Sequence, residues 1–202
     1  MSITYQRKLP HWQPDESTFF VTYRLFGSLP TSVLNGLADM KASIMRAAGN
    51  DSEQIRVARK RYFGQFDHVL DQATNGPYWL REEKVAQIVM DSWRYWDNQH
   101  YCLYAVCIMP NHVHSLFRLL PDAPPLYKVL QSIKTFSGRE SNLVLRLTGQ
   151  PFWARESYDH FVRKDGEFER IGHYILQNPV KAGFVKESGD WRWSYKKEGV
   201  EF

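Results

Sequence analysis

Two histidines one residue apart, His112 and His114, lie in the run Met109-Pro110-Asn111-His112-Val113-His114. Apolar segments flank the Pro-Asn turn on both sides, so the stretch over residues 101–118 reads as a β-hairpin. Successive side chains on a strand face opposite ways; His112 and His114 therefore share one surface while Val113 enters the other layer. Two neutral imidazoles at a fixed separation suit a divalent ion with open coordination positions. A second pair stands further on. Tyr174 and Asn178 are at i and i+4 of a helical pattern that Pro179 is expected to end or kink. Laid across the histidine face of the sheet, that helix would supply an amide ligand and a phenolic nucleophile. The same residue types also fit a plainer reading: two packed or solvated histidines, a structural tyrosine beside an apolar stripe, and an asparagine that opens a turn.

Composition narrows the classes. At 202 residues and 23.8 kDa the chain is long enough for one domain with a substantial core and too short for two large ones. Hydrophobic residues at 43% and charged ones at 24% exclude a disordered chain, and no apolar run approaches a membrane span. The first ten residues lack the apolar core of a signal peptide, and two cysteines, Cys102 and Cys107, are too few for a disulfide framework, so a reducing cytoplasm is expected. A net charge of +4 and a pI near 9.0 are compatible with a polyanionic partner, although many basic proteins bind nothing acidic. An aromatic content of 15%, with seven Trp, serves either a heavy core or stacking platforms for single-stranded nucleic acid.

The elements that must position these residues follow in order. An extended arm over about 1–16 precedes a β-branched and aromatic strand over 17–26, which Gly27 and Pro30 stop. Thr31 or Ser32 is placed to cap a helix to about Ala48, and a second helix runs from about Ser52 to Ala73 with a basic face of Arg56, Arg59, Lys60 and Arg61 that reads first as solvated charge. Val85, Ile88, Val89, Trp93 and Trp96 space out a helix over 81–96 that leads into the hairpin. After it, Leu126, Val129, Leu130, Ile133 and Phe136 mark an amphipathic helix, residues 152–163 read as further strand in one or two pieces, and a helix is expected over 167–177. The tail from about 184 to 202 is basic and aromatic without clear periodicity. This order gives an α+β fold, most simply a ferredoxin-like antiparallel sheet with helices on one face. Such sheets host many functions, so the fold leaves function open.

The hairpin motif together with Tyr174-Ile175-Leu176-Gln177-Asn178-Pro179-Val180-Lys181-Ala182-Gly183 resembles the single-tyrosine HUH transposases, above all the REP-associated tyrosine transposases. Their pattern is His-hydrophobic-His on a strand and a Tyr on a later helix with Asn or Gln four residues on. The opening Arg7-Lys8-Leu9-Pro10-His11-Trp12-Gln13 and the Trp191-Arg192-Trp193-Ser194 tail are similar to that group as well, so the likeness spans nearly the whole chain as one catalytic domain, residues 1–202. The helical stretch over about 31–75 exceeds what a minimal core needs and reads as an insertion without an assigned role.

The resemblance implies an HUH endonuclease-like fold in which His112, His114 and Asn178 bind Mg²⁺ or Mn²⁺ and Tyr174 is the nucleophile. It implies cleavage and joining of single-stranded or hairpin DNA through a 5′-phosphotyrosine link, by a monomer in preference to a dimer, with no membrane partner. Lys134, Arg139, Arg155 and Arg163 are the cations assigned to the DNA backbone, each weighed against a solvated or locally paired charge. His160 and His173 are weaker candidates for assisting the phenol, with surface histidines as the plainer reading. The competing classes are a nucleic-acid-binding module that has no chemistry, in which the histidines are incidental, and a phosphodiesterase that uses water and needs Tyr174 for packing alone.

Overall fold

The computed structural model describes residues 3–7, 9–13, 17–72, 76–163 and 166–202, with side chains described from Ser17 onward. The opening arm contains two short strands, β1 (Ile3–Arg7) and β2 (Leu9–Gln13), paired antiparallel. The rest of the arm expected over 1–16 lies outside the described residues, as do residues 73–75 and 164–165.

The main sheet has five strands, all antiparallel. In chain order they are β3 (Thr18–Leu25), β4 (Tyr101–Ile108), β5 (His112–Leu119), β6 (Trp153–Phe161) and β7 (Ser194–Lys196). Their spatial order is β6-β3-β5-β4-β7. The helices are α1 (Thr31–Ala48), α2 (Ser52–Asp71), α3 (Glu83–Tyr95), α4 (Leu126–Leu145) and α5 (Glu167–Lys181). The β3-α3-β4-β5-α4-β6 series with that strand order is the expected ferredoxin-like arrangement.

The expectation of helices on one face needs correction. Phe19, Val21, Tyr23 and Leu25 point into a core shared with α3 and α4, where Trp93, Tyr101 and Phe117 are fully buried. Phe20, Ala105, Cys107, Met109 and Leu116 point the other way, and α5 covers them with Ile171 and Ile175. The signal is in the sequence: β4 is a near-continuous apolar run, the mark of a strand buried on both faces.

Several boundaries also differ. Neither Thr31 nor Ser32 caps α1, which follows Pro30 with no side-chain cap bond, whereas Asp51 caps α2 by accepting from the Gln54 amide at 2.7 Å. The α5 helix does not stop at Asn178. Pro179 lies inside it, and the helix ends at Lys181, two residues before Gly183, whose positive φ of 74° suits the left-handed turn that follows a helix end. Proline there removes one hydrogen bond two residues before the helix ends, so the loss is small. The segment over 152–163 holds one strand, Trp153–Phe161, with a shift of register opposite Tyr23 and Leu25. The tail is structured: β7 adds to the β4 edge, the Trp191 indole donates to the Ile108 carbonyl at 3.1 Å, and Phe202 packs over Gly172 and Phe168 of α5.

Candidate active site

Both histidines start β5, directly after the hairpin turn. The pairing of Arg24 with His112 and of Thr22 with His114 sets their register against β3. His112 and His114 are 1% and 0% exposed, and their Nε2 atoms lie 2.9 Å apart. The other nitrogen of each ring is already engaged. The Asn111 amide donates from Nδ2 to the Leu70 carbonyl at 3.0 Å, which leaves Oδ1 to accept from His112 Nδ1 at 2.6 Å. His112 is thereby held as the Nδ1–H tautomer with its Nε2 lone pair inward. Thr22 Oγ1 lies 2.7 Å from His114 Nδ1 and orients that ring, as a hydroxyl that can donate or accept there. Burial lowers the pKa of His112 to about 3, and burial together with His112 and Lys181 takes His114 well below its ordinary value. Both rings are neutral and so fit to be ligands.

The α5 helix brings Tyr174 and Asn178 to this pair, since Ile171, Tyr174, Ile175 and Asn178 fall on its sheet-facing side. Asn178 Nδ2 lies 3.2 Å from His114 Nε2 and 3.4 Å from the Tyr174 hydroxyl. The Tyr174 ring is held edge-on by Phe20 at 6.1 Å and by His114 at 5.7 Å, and Lys181 Nζ stands 4.6 Å from its centroid. Its hydroxyl donates to Asp67 Oδ2 of α2.

Asp67 and Asp71 form the acidic wall. Asp67 Oδ1 is 3.4 Å from His114 Nε2 and Asp71 Oδ1 is 3.8 Å from His112 Nε2; with neutral imidazoles these contacts are not ion pairs. Burial first, then Asp71, pushes the Asp67 carboxyl up to about 8 against the pull of Lys181. Burial likewise raises Asp71 to about 6, against His68 and Lys181.

Three features test whether a divalent ion fits. The two Nε2 atoms, 2.9 Å apart, match the spacing of neighbouring ligands of an ion with bonds of about 2.1 Å, which places cis ligands about 3 Å apart. Asp67, His112 and His114 offer ligand atoms all within 4.8 Å of one another. The buried Oδ1 atoms of Asn178 and Asp67 have no hydrogen-bond partner, a costly state that a cation relieves. The donors fit a hard divalent ion.

Comparisons with known proteins give the chain's likeness at the level of family and fold. Residues 80–178 match the family model for "Transposase IS200 like", a range that holds His112, His114, Tyr174 and Asn178. Over that range the chain is similar to the IS200-like transposases. A curated Haemophilus influenzae protein named "Putative REP-associated tyrosine transposase" is 30% identical over 99 residues, covering 45% of this chain; the chain spans 56% of that relative's length. A solved structure of a REP-associated tyrosine transposase bound to a REP hairpin aligns over 98% of this chain and 93% of its own, with a TM-score of 0.53. At 15% identity that match shows a common fold.

Relative to the transposase motif, the structure brings His112, His114, Tyr174 and Asn178 into one cluster. The four cations assigned to DNA are not at that cluster. Lys134, Arg139 and Arg155 line a separate cavity of about 370 Å³ between α4 and β6, and Arg163 stacks over Phe161 at 5.0 Å. Lys134 also ties α4 to β6 by donating to the carbonyls of Ala154 and Arg155 at 2.7 and 3.2 Å, and Arg139 pairs with Glu140 at 2.8 Å. His173 is exposed, and His160 faces Glu167 at 3.2 Å, so neither assists the phenol. Asp67, Asp71, Asn111 and Thr22 are the site residues that sequence reasoning missed. Asp67 did carry a signal: with Phe63, Phe66 and Leu70 it occupies the i, i+3, i+4, i+7 stripe where α2 should be apolar.

Proposed function

We propose that this transposase relative is a metal-dependent nuclease and strand transferase for single-stranded or hairpin DNA, with Tyr174 as the nucleophile. The observation that carries the reading is the continuous contact from the Tyr174 hydroxyl through Asn178 to His114 and His112 on one buried floor. His112, His114 and Asn178 would hold Mg²⁺ or Mn²⁺, which when bound polarises the scissile phosphate and offsets its charge.

The chain's own residues do the rest. Phe20, Phe63 and His114 fix the tyrosine ring, so the hydroxyl is presented in one direction. Tyr174 Oη attacks phosphorus, the P–O3′ bond breaks, and the strand is left with a free 3′-hydroxyl and a 5′-phosphotyrosine link. Because the link is itself a phosphodiester, a 3′-hydroxyl can reverse the step on another strand without ATP. The Oη proton lies on the hydrogen bond to Asp67 Oδ2.

A second cavity of about 370 Å³, lined by Asp71, Tyr78, Arg81, Asn111, His112 and Phe184, reaches His112 and is the proposed way in for the strand. Arg81 stands over the Tyr78 ring at 4.7 Å there, a pairing of cation and aromatic suited to a phosphate and its base. Lys134, Arg139, Arg155 and Arg163 are proposed as backbone contacts beyond the cut site. One chain supplies both the histidine pair and the tyrosine, which supports a monomer as the working unit. Free thiols at Cys102 and Cys107 are in keeping with the cytoplasm, and among the described residues no helix is long and apolar enough to cross a membrane.

The REP hairpin named for the structural relative is the substrate to try first. Incubating the protein with a hairpin oligonucleotide bearing a single-stranded tail, in Mn²⁺ or Mg²⁺, should give a denaturation-resistant protein–DNA adduct. An equal yield of adduct from Tyr174→Phe would overturn the assignment.

A further inference from the structure

The helical hairpin α1–α2 lies outside the region matched by the transposase family model, yet it delivers a carboxylate to the centre of the site. We propose that Asp67 is a working residue of this centre, completing the metal-holding set through Oδ1 and orienting the Tyr174 hydroxyl through Oδ2. The inference rests on the reading of His112 and His114 as metal-holding residues.

Charge is the first argument. Two neutral imidazoles and an amide would leave the two positive charges of the ion uncompensated in a buried cavity, and hard divalent cations favour carboxylate oxygen. Asp67 poses the opposite problem. It is 4% exposed, its Oδ1 has no hydrogen-bond partner, and among the described residues no Lys or Arg forms a salt bridge with it. A divalent ion between Asp67 and the histidine pair resolves both.

Placement is the second argument. The α2 helix is seated on the site by several independent contacts. The Leu70 carbonyl accepts from Asn111, the residue that sets the His112 tautomer. Phe63 stacks on Tyr158 at 4.3 Å and meets Phe20 edge-on at 5.1 Å. Lys60 pairs with Glu167 of α5 at 2.6 Å. The Asp67 carboxyl thus spans the two halves of the site, with one oxygen toward His114 and the other on the nucleophile. The insertion, on this account, is part of the reaction centre.

The test is Mn²⁺ binding without DNA, read by electron paramagnetic resonance on the full chain, for the wild type, His112→Ala, Asp67→Asn and Asp67→Ser. Asp67→Asn keeps an oxygen for Tyr174 and removes the charge; Asp67→Ser is smaller and also uncharged. Both are expected to weaken Mn²⁺ binding by about tenfold or more, with melting curves in chelator at least as high as wild type. Asp67→Asn is also expected to form the DNA adduct more slowly at saturating Mn²⁺. Wild-type Mn²⁺ affinity in either folded Asp67 variant, with affinity lost in His112→Ala, overturns this proposal and leaves the histidine reading standing. No Mn²⁺ binding by the wild type overturns both.

Discussion

The two faces of the main sheet are built from the same strands and are put to opposite uses. The face toward α3 and α4 is an aromatic and aliphatic core whose large polar rings are hydrogen-bonded within it: the Trp93 indole donates to the Tyr23 hydroxyl at 2.9 Å, and the Tyr101 hydroxyl donates to the Trp93 carbonyl at 2.6 Å. The face toward α5 and α2 has a smaller apolar core and buries Thr22, Asp67, His112, His114 and Asn178 beside it. Burying polar groups with unpartnered oxygens costs stability, and stability is what the first face supplies. Alternation along β3 and β5 lets one pair of strands serve both: Val113 enters the core while the histidines on either side of it enter the site.

If this division is correct, variants on the two faces should fail in different ways. The largest effect is expected on the site face, where Tyr174→Phe should lower adduct formation by at least about a thousandfold while costing no more than about 1–3 kcal/mol of stability; Asp67 Oδ2 loses its donor, but the ring and its contacts with Phe20 and Phe63 remain. On the core face, Trp93→Ala should cost about 3–5 kcal/mol in denaturant unfolding, through lost packing and the orphaned Tyr23 hydroxyl. Residual folded protein from that variant should still form adduct.

Smaller effects refine the boundary between the faces. Asn111→Ala removes the acceptor that fixes the His112 tautomer and should weaken Mn²⁺ binding by about 10–100-fold, read by titration at constant pH. Glu167→Gln should lower stability by about 1–3 kcal/mol at neutral pH. Burial alone would raise the Glu167 pKa, yet the Lys60 ammonium, the Arg163 amide and His160 outweigh it and hold the carboxyl at about 2, below the ordinary 4.5. Its stabilisation is therefore present above about pH 4.5 and is lost as pH falls toward 2, so melting curves of the variant and the wild type should converge over that interval.

How much of this was legible in the sequence differs between the faces too. The core face followed from periodicity: the stripe of Val85, Val89 and Trp93 and that of Leu126, Val129 and Ile133 mark α3 and α4, and burial bears them out. The site face was legible where chemistry and local spacing coincide, as in the His pair on a strand and Tyr174 with Asn178 on one helical face. It was not legible where partners are distant in the chain. Asp67 meets Tyr174 across 107 residues and Thr22 meets His114 across 92, and neither pairing leaves a local pattern. An acid on the apolar stripe of α2 was the available hint. The second layer of helices was missed for a related reason: a fully apolar strand shows that both faces are covered without showing by what.

The most direct measurement of the central claim is mass spectrometry of the peptide that carries DNA after reaction with a tailed hairpin oligonucleotide and Mn²⁺. A 5′-phosphodiester link on Tyr174, absent when His114 is replaced by Ala, is the predicted result. DNA cleaved by the wild-type chain with no covalent peptide, or with the link on another residue, would contradict it.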